Sequence, residues 1–92
     1  MTAAGSVEIV NRLGLHARAA AKLVAVAGGF QSRVTLERED GGAPADGKSI
    51  MAVLMLGAPR GTRLQLRCEG SDAQEAYAAL CELIANRFDE GE

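Results

Sequence analysis

The chain has 92 residues, enough for one domain and too few for two. Apolar residues make up 48% and aromatics only 3%, namely Phe30, Tyr77 and Phe88 with no Trp, so the core is aliphatic, the composition is not that of a disordered chain, and no run approaches a membrane span. The net charge of −2 is unevenly spread: residues 1–38 hold five basic against two acidic groups and residues 39–92 five against ten, which favours a small anion near the N-terminal half and lacks the basic stripe and stacking aromatics that nucleic acid requires.

The start, Met1-Thr2-Ala3-Ala4-Gly5, lacks the basic residues and apolar run of a signal peptide and predicts a cytoplasmic protein. Ser6 to Asn11 reads as a first strand, with Val7 and Ile9 on one face. From Ala17, the residues Ala20, Leu23, Val24 and Ala27 form the apolar stripe of a helix that stops at Gly28-Gly29, with Arg18 and Lys22 on its other side. Arg33 to Arg38 alternates, with Val34 and Leu36 inward, as a second strand. Glu39-Asp40-Gly41-Gly42 is a turn, and Ala43 to Asp46 a short strand that Pro44 confines to an edge.

Ser49 is placed to cap a short helix through Leu56, although the seven apolar residues Ile50–Leu56 fit a buried strand equally well on periodicity alone. Arg63 to Glu69 alternates again, with Leu64, Leu66 and Cys68 inward. Ser71-Asp72-Ala73-Gln74 matches a capping box. The last helix then presents Ala73, Ala76, Tyr77, Leu80, Leu83, Ile84 and Phe88, with Arg87 near its end suiting the dipole. The order βαββαβα predicts an α+β domain, a four-stranded antiparallel sheet with three helices on one face. Residues 1–92 form a single domain in this reading, with a core of about 6–88 and a short acidic tail, 89–92.

Cys68 and Cys81 read as reduced, small, buried groups, and with a single histidine the chain offers no metal-ligand set and implies no cofactor. That histidine, His16, stands directly before the first helix. There the unpaired N–H groups of Ala17 and Arg18 and the helix dipole favour an anion, so a phosphoryl group carried on the imidazole would be cradled as it formed. Arg18 adds charge-assisted hydrogen bonds. The positive helix end also biases His16 toward the neutral, nucleophilic form. No second catalytic residue stands near it in sequence and no phosphate-binding GxxxxGK[ST] loop occurs, so a relay fits better than an enzyme. The bland alternative is a surface histidine that happens to precede a helix.

Gly14-Leu15-His16-Ala17-Arg18-Ala19-Ala20-Ala21-Lys22 resembles the active-site segment of the HPr family, the histidine phosphocarriers of the phosphoenolpyruvate phosphotransferase system; Gly47-Lys48-Ser49-Ile50-Met51 resembles its second signature and Pro59-Arg60-Gly61-Thr62 the turn after the short helix. The resemblance covers residues 6–88 and implies an HPr-like open-faced β-sandwich. It further implies that His16 is phosphorylated on Nδ1, the pros nitrogen, by an Enzyme I-type donor and passes the group to a IIA-type protein, with Arg18 neutralising charge in transit. It makes the apolar run a helix whose outer residues Ile50, Met51, Leu54 and Met55 form a docking patch, and it matches Ser49 to a regulatory phosphorylation position whose simpler role is a helix cap. Ala19 stands where sugar-branch members usually have proline, and this, the Ser-Ile-Met-Ala-Val-Leu-Met-Leu run and the ending Asn86-Arg87-Phe88-Asp89-Glu90-Gly91-Glu92 look like NPr, the nitrogen-branch form. A sugar-branch HPr and a non-covalent regulatory module using the same surface are the alternatives. The partners implied are proteins, with no nucleic acid or membrane, and the carrier is expected to be a monomer.

Overall fold

The two clean alternating segments become the centre of the sheet. The computed structural model describes residues 1–91 and runs β1 (Thr2–Glu8), α1 (Ala17–Gly28), β2 (Arg33–Arg38), β3 (Ala45–Asp46), α2 (Ile50–Met55), β4 (Arg63–Glu69) and α3 (Ala73–Ala85), ending in a 3-10 turn over Arg87–Asp89. The strands lie in the order β1-β4-β2-β3, all antiparallel. Val34, Leu36, Leu64, Leu66 and Cys68 are fully buried on the inner face, while Arg33, Glu37, Arg63, Gln65 and Arg67 face solvent. The helices cover the inner face alone, which makes the α+β open-faced sandwich expected from the element order. The outer face is held by cross-strand polar pairs: Gln65 donates to Glu39 at 2.7 Å and Arg63 to Glu8 at 3.1 Å.

Four local expectations are corrected. The first strand is Thr2–Glu8, in register with Glu69–Arg63, and not Ser6–Asn11; its small residues hide the alternation. Gly5 belongs there because the Tyr77 hydroxyl lies where a side chain would stand. The edge strand β3 shrinks to two residues, Ala45 and Asp46, with Pro44 just outside it.

The capping box is absent. Asp72, not Ser71, is the N-cap of α3, and it makes no side-chain bond to its own helix. Its carboxylate accepts instead from the backbone N–H of Gln31 at 2.8 Å and of Ser32 at 2.9 Å, and from the Ser32 hydroxyl. The turn before β2 has amides without partners in the sheet, among them that of the buried Ser32, and Asp72 accepts from them.

The last helix ends at Ala85, three residues short of Phe88. Arg87, Phe88 and Asp89 all take positive φ, 57°, 51° and 63°, so Arg87 lies outside the helix and supports no dipole argument. A left-handed run of three L-residues costs roughly 1–2 kcal/mol each. The reversal buries Phe88 completely, and burying a Phe side chain contributes about 1.5–3 kcal/mol, which offsets much of that cost. Lys22 of α1 donates to the Phe88 carbonyl at 2.8 Å and fixes the turn. After this turn the chain bends back along α1, and Glu90 reaches His16 at its start. No helix among the described residues is long and apolar enough to cross a membrane.

Candidate functional site

The loop from β1 to α1 is set by a glycine and an asparagine. Gly14 has φ +72°, and a Cβ there would meet the carbonyl oxygen of Ala58 at 2.7 Å and Cα of Pro59 at 2.8 Å, so only glycine lets the loop press on the 58–60 turn. Leu15 N–H donates to Ala58 O at 2.8 Å and the Leu15 side chain is buried. Asn11, fully buried, donates from Nδ2 to Gly14 O at 2.8 Å, and Gly14 N–H donates back to Asn11 O at 3.2 Å. The two braces leave His16 at the mouth of α1.

His16 is the N-cap of α1, with extended backbone and its carbonyl accepting from Ala20 N–H at 2.8 Å. Its Nδ1 accepts from the backbone N–H of Arg18 at 3.3 Å, the role serine or aspartate plays at other helix starts. Its Nε2 is hydrogen-bonded to the carboxylate of Glu90. An acceptor at Nδ1 and a carboxylate at Nε2 together assign the proton of the neutral ring to Nε2. The lone pair of Nδ1 thus points into the N-terminus of α1, where the first-turn amides, Ala17 and Arg18, have no partners within the helix. His16 thus stands directly before the first helix, the position expected of it from the sequence.

Glu90 is the residue that sequence reasoning missed. It lies 74 positions from His16, is 10% exposed against 27% for the histidine, and its second oxygen accepts from Asn11 Nδ2 at 3.0 Å. Burial pushes its carboxyl up, but hydrogen bonds from Asn11 and His16, with the field of His16 and Arg18, outweigh that and hold it below the usual carboxylate range. The structure sets an anion, the Glu90 carboxylate, on the side of the ring away from the helix end. Arg12, Leu13, Arg18, Lys22, Asp89 and Glu90 line a cleft of about 280 Å³ at this place. The only sequence signal for the pairing was the contrast between the basic first 38 residues and the acidic end.

The remaining predicted residues divide. Ser49 is the N-cap of α2, with Oγ accepting from Ala52 N–H at 3.2 Å. Ile50, Met51 and Met55 are exposed, and α2 packs against α1. Leu54 differs from them in exposure: it is half-buried and packs on the core. Cys68 is buried and Cys81 half-buried, both as free thiols. No group of three or more His, Cys, Asp or Glu side chains suited to a metal occurs among the described residues.

Known proteins resemble the chain over nearly its whole length. The family described as PTS HPr component phosphorylation site matches residues 4–86. The chain belongs to the HPr family. It is 57% identical over 86 residues to phosphocarrier protein HPr of Pseudomonas aeruginosa, covering 94% of each chain, and 41% identical over 90 residues to phosphocarrier protein NPr of Escherichia coli, covering 98% and 99%. Its fold superposes on the crystal structure of HPr-C-His from Thermoanaerobacter tengcongensis with a TM-score of 0.89 at 39% identity, covering 96% and 97%. As an HPr-family phosphocarrier it is a component of a phosphoryl relay and not a stand-alone catalyst.

Proposed function

We propose that the chain, as a single carrier domain, accepts a phosphoryl group on Nδ1 of His16 and gives it to a histidine of a IIA-type protein. The observation that carries this reading is the direction of the ring: Nδ1, unprotonated, faces the amide-rich start of α1. In the forward step the Nδ1 lone pair attacks phosphorus on an Enzyme I-type donor, the donor's P–N bond breaks, and its electron pair returns to the donor nitrogen. The Arg18 N–H that Nδ1 held then turns to a phosphoryl oxygen, joined by the Ala17 amide, and the Arg18 guanidinium offsets charge. One arginine and two amides, each worth roughly 1–3 kcal/mol, hold the group without trapping it.

Ile50, Met51 and Met55 serve as the partner patch, where methionine adapts to more than one surface. Ser49 serves as a helix cap, and a phosphate there would set a dianion beside Ile50 and Met51 and weaken docking. The branch we assign is the nitrogen-related one, on Ala19 after Arg18, the run from Ser49 to Leu56 and the ending Phe88-Asp89-Glu90. The sugar branch is the second reading, favoured by the higher identity to proteins named HPr, 57% against 41% for NPr. Parallel phosphorylation by a sugar-branch and a nitrogen-branch Enzyme I with phosphoenolpyruvate tests the assignment. Faster labelling by the nitrogen-branch enzyme is expected; clear preference for the other overturns the branch and leaves the relay standing.

A further inference from the structure

The described residues include one group bound directly to the reacting ring that the family resemblance did not predict, the Glu90 carboxylate, and it is held by a built support. Asn11 is fully buried, and its Nδ2 forks between Gly14 O at 2.8 Å and Glu90 Oε1 at 3.0 Å, while its Oδ1 is buried without a hydrogen-bond partner. A buried acceptor left unpaired is costly, so the amide is oriented for its donor side at the expense of the other. The three left-handed residues before Glu90 and the Lys22 bond to Phe88 O bring the carboxylate to the same point. From this convergence we infer that Glu90, positioned by Asn11, is a positioning residue for His16: it holds the Nε2–H tautomer and balances the charge that the ring takes on with the phosphoryl group.

The inference rests on the relay reading above. When Nδ1 bonds phosphorus, Nε2 keeps its proton and the ring becomes cationic; the Glu90 carboxylate lies against that charge. When the acceptor nitrogen attacks phosphorus, the P–Nδ1 bond breaks, its electron pair returns to Nδ1, and a neutral imidazole departs with Nε2–H still in place. No proton enters or leaves in either direction. Without the carboxylate, Nε2 loses its proton more readily in the phosphorylated state, and the leaving group becomes an imidazolate, which departs far less easily. Glu90 thus keeps the phosphoryl bond weak enough to pass on. The other charged groups lining this cleft are Arg12 before α1, Arg18 and Lys22 on α1, and Asp89 on the C-terminal turn; the three cations oppose a ring charge, and of the two anions Glu90 is the one hydrogen-bonded to the ring.

The test uses the full chain, wild type and Glu90→Gln, phosphorylated with potassium phosphoramidate. Glu90→Gln keeps the size of the side chain and removes its charge. The expected results are a phosphohistidine that survives several-fold longer at neutral pH in the variant, a ring that nitrogen-detected NMR shows as mixed tautomers in place of the single Nε2–H form of the wild type, and a lifetime difference that fades in acid as the wild-type carboxylate protonates. Asn11→Ala, whose Glu90 is intact but unsupported, is expected to lie between the two; if it does not fold, the Glu90→Gln comparison decides alone. Equal lifetimes and the same tautomer in wild type and Glu90→Gln overturn the inference while leaving the relay intact. Wild-type protein that takes no phosphate on His16 overturns the relay itself.

Discussion

Lys22 Nζ donates to the carbonyl oxygen of Phe88 at 2.8 Å, tying the first helix to the reversed turn that carries Glu90. Phe88 is completely buried, so the position of an acidic side chain at His16 depends on an aromatic ring packed two residues earlier. Phe88→Ala is expected to cost about 3–5 kcal/mol, a large part of the roughly 5–15 kcal/mol that keeps such a domain folded. Thermal unfolding checks the stability loss, and NMR of His16 in the folded fraction checks that the Glu90 bond goes with it.

Gly14→Ala is expected to harm both stability and labelling. A Cβ at this left-handed position meets the Ala58 carbonyl at 2.7 Å, so the loop bearing His16 must move away from the 58–60 turn. Gly28→Ala is the control: nothing lies within 4 Å of its Cβ, and alanine at this end of α1 is expected to be neutral or to stabilise by up to about 1 kcal/mol. Denaturant midpoints and phosphoryl uptake, measured on both variants, separate the two sites.

How far this arrangement is legible in sequence differs from element to element. The strands over Arg33–Arg38 and Arg63–Glu69 are read without error because polar and apolar side chains alternate cleanly, and α1 is read because its stripe is continuous. The first strand is obscured by Thr2-Ala3-Ala4-Gly5, whose small side chains carry no contrast. The capping box fails for a tertiary reason: Asp72 is drawn to the Gln31 and Ser32 amides, which lie far away in sequence. The place of His16 at a helix start is legible because it depends on neighbours in sequence alone. Glu90 is not, since a left-handed reversal of three non-glycine residues has no sequence signature and only packing of Phe88 justifies it.

Asp72 yields a pH prediction. Hydrogen bonds from the Ser32 hydroxyl and the Gln31 N–H hold its carboxyl below the usual carboxylate range against some burial, with a further bond from Ser32 N–H. The folded value lies under the unfolded one, so the contribution to stability is fully present above the unfolded value and is lost as pH falls through the folded one. The gap in urea midpoint between wild type and Asp72→Ala is therefore expected to be constant above about pH 5 and to close progressively below about pH 4.

Met51 and Met55, both widely exposed, are expected to matter to partners and not to folding. Met51→Asp or Met55→Asp is expected to slow transfer from Enzyme I by roughly tenfold, the effect of about 1.4 kcal/mol at an interface, while leaving thermal stability within about 0.5 kcal/mol and phosphorylation by phosphoramidate unchanged. Equal loss with the small donor would move the effect from docking to the chemistry at His16.

The most direct test of the whole account is labelling of His16. Wild-type protein incubated with phosphoenolpyruvate and the cognate Enzyme I is expected to take up one phosphate, labile to acid and stable to alkali, on a nitrogen that NMR identifies as Nδ1, and His16→Ala is expected to take up none. A His16→Ala protein that labels as well as wild type, or a phosphate found on Nε2, would contradict it.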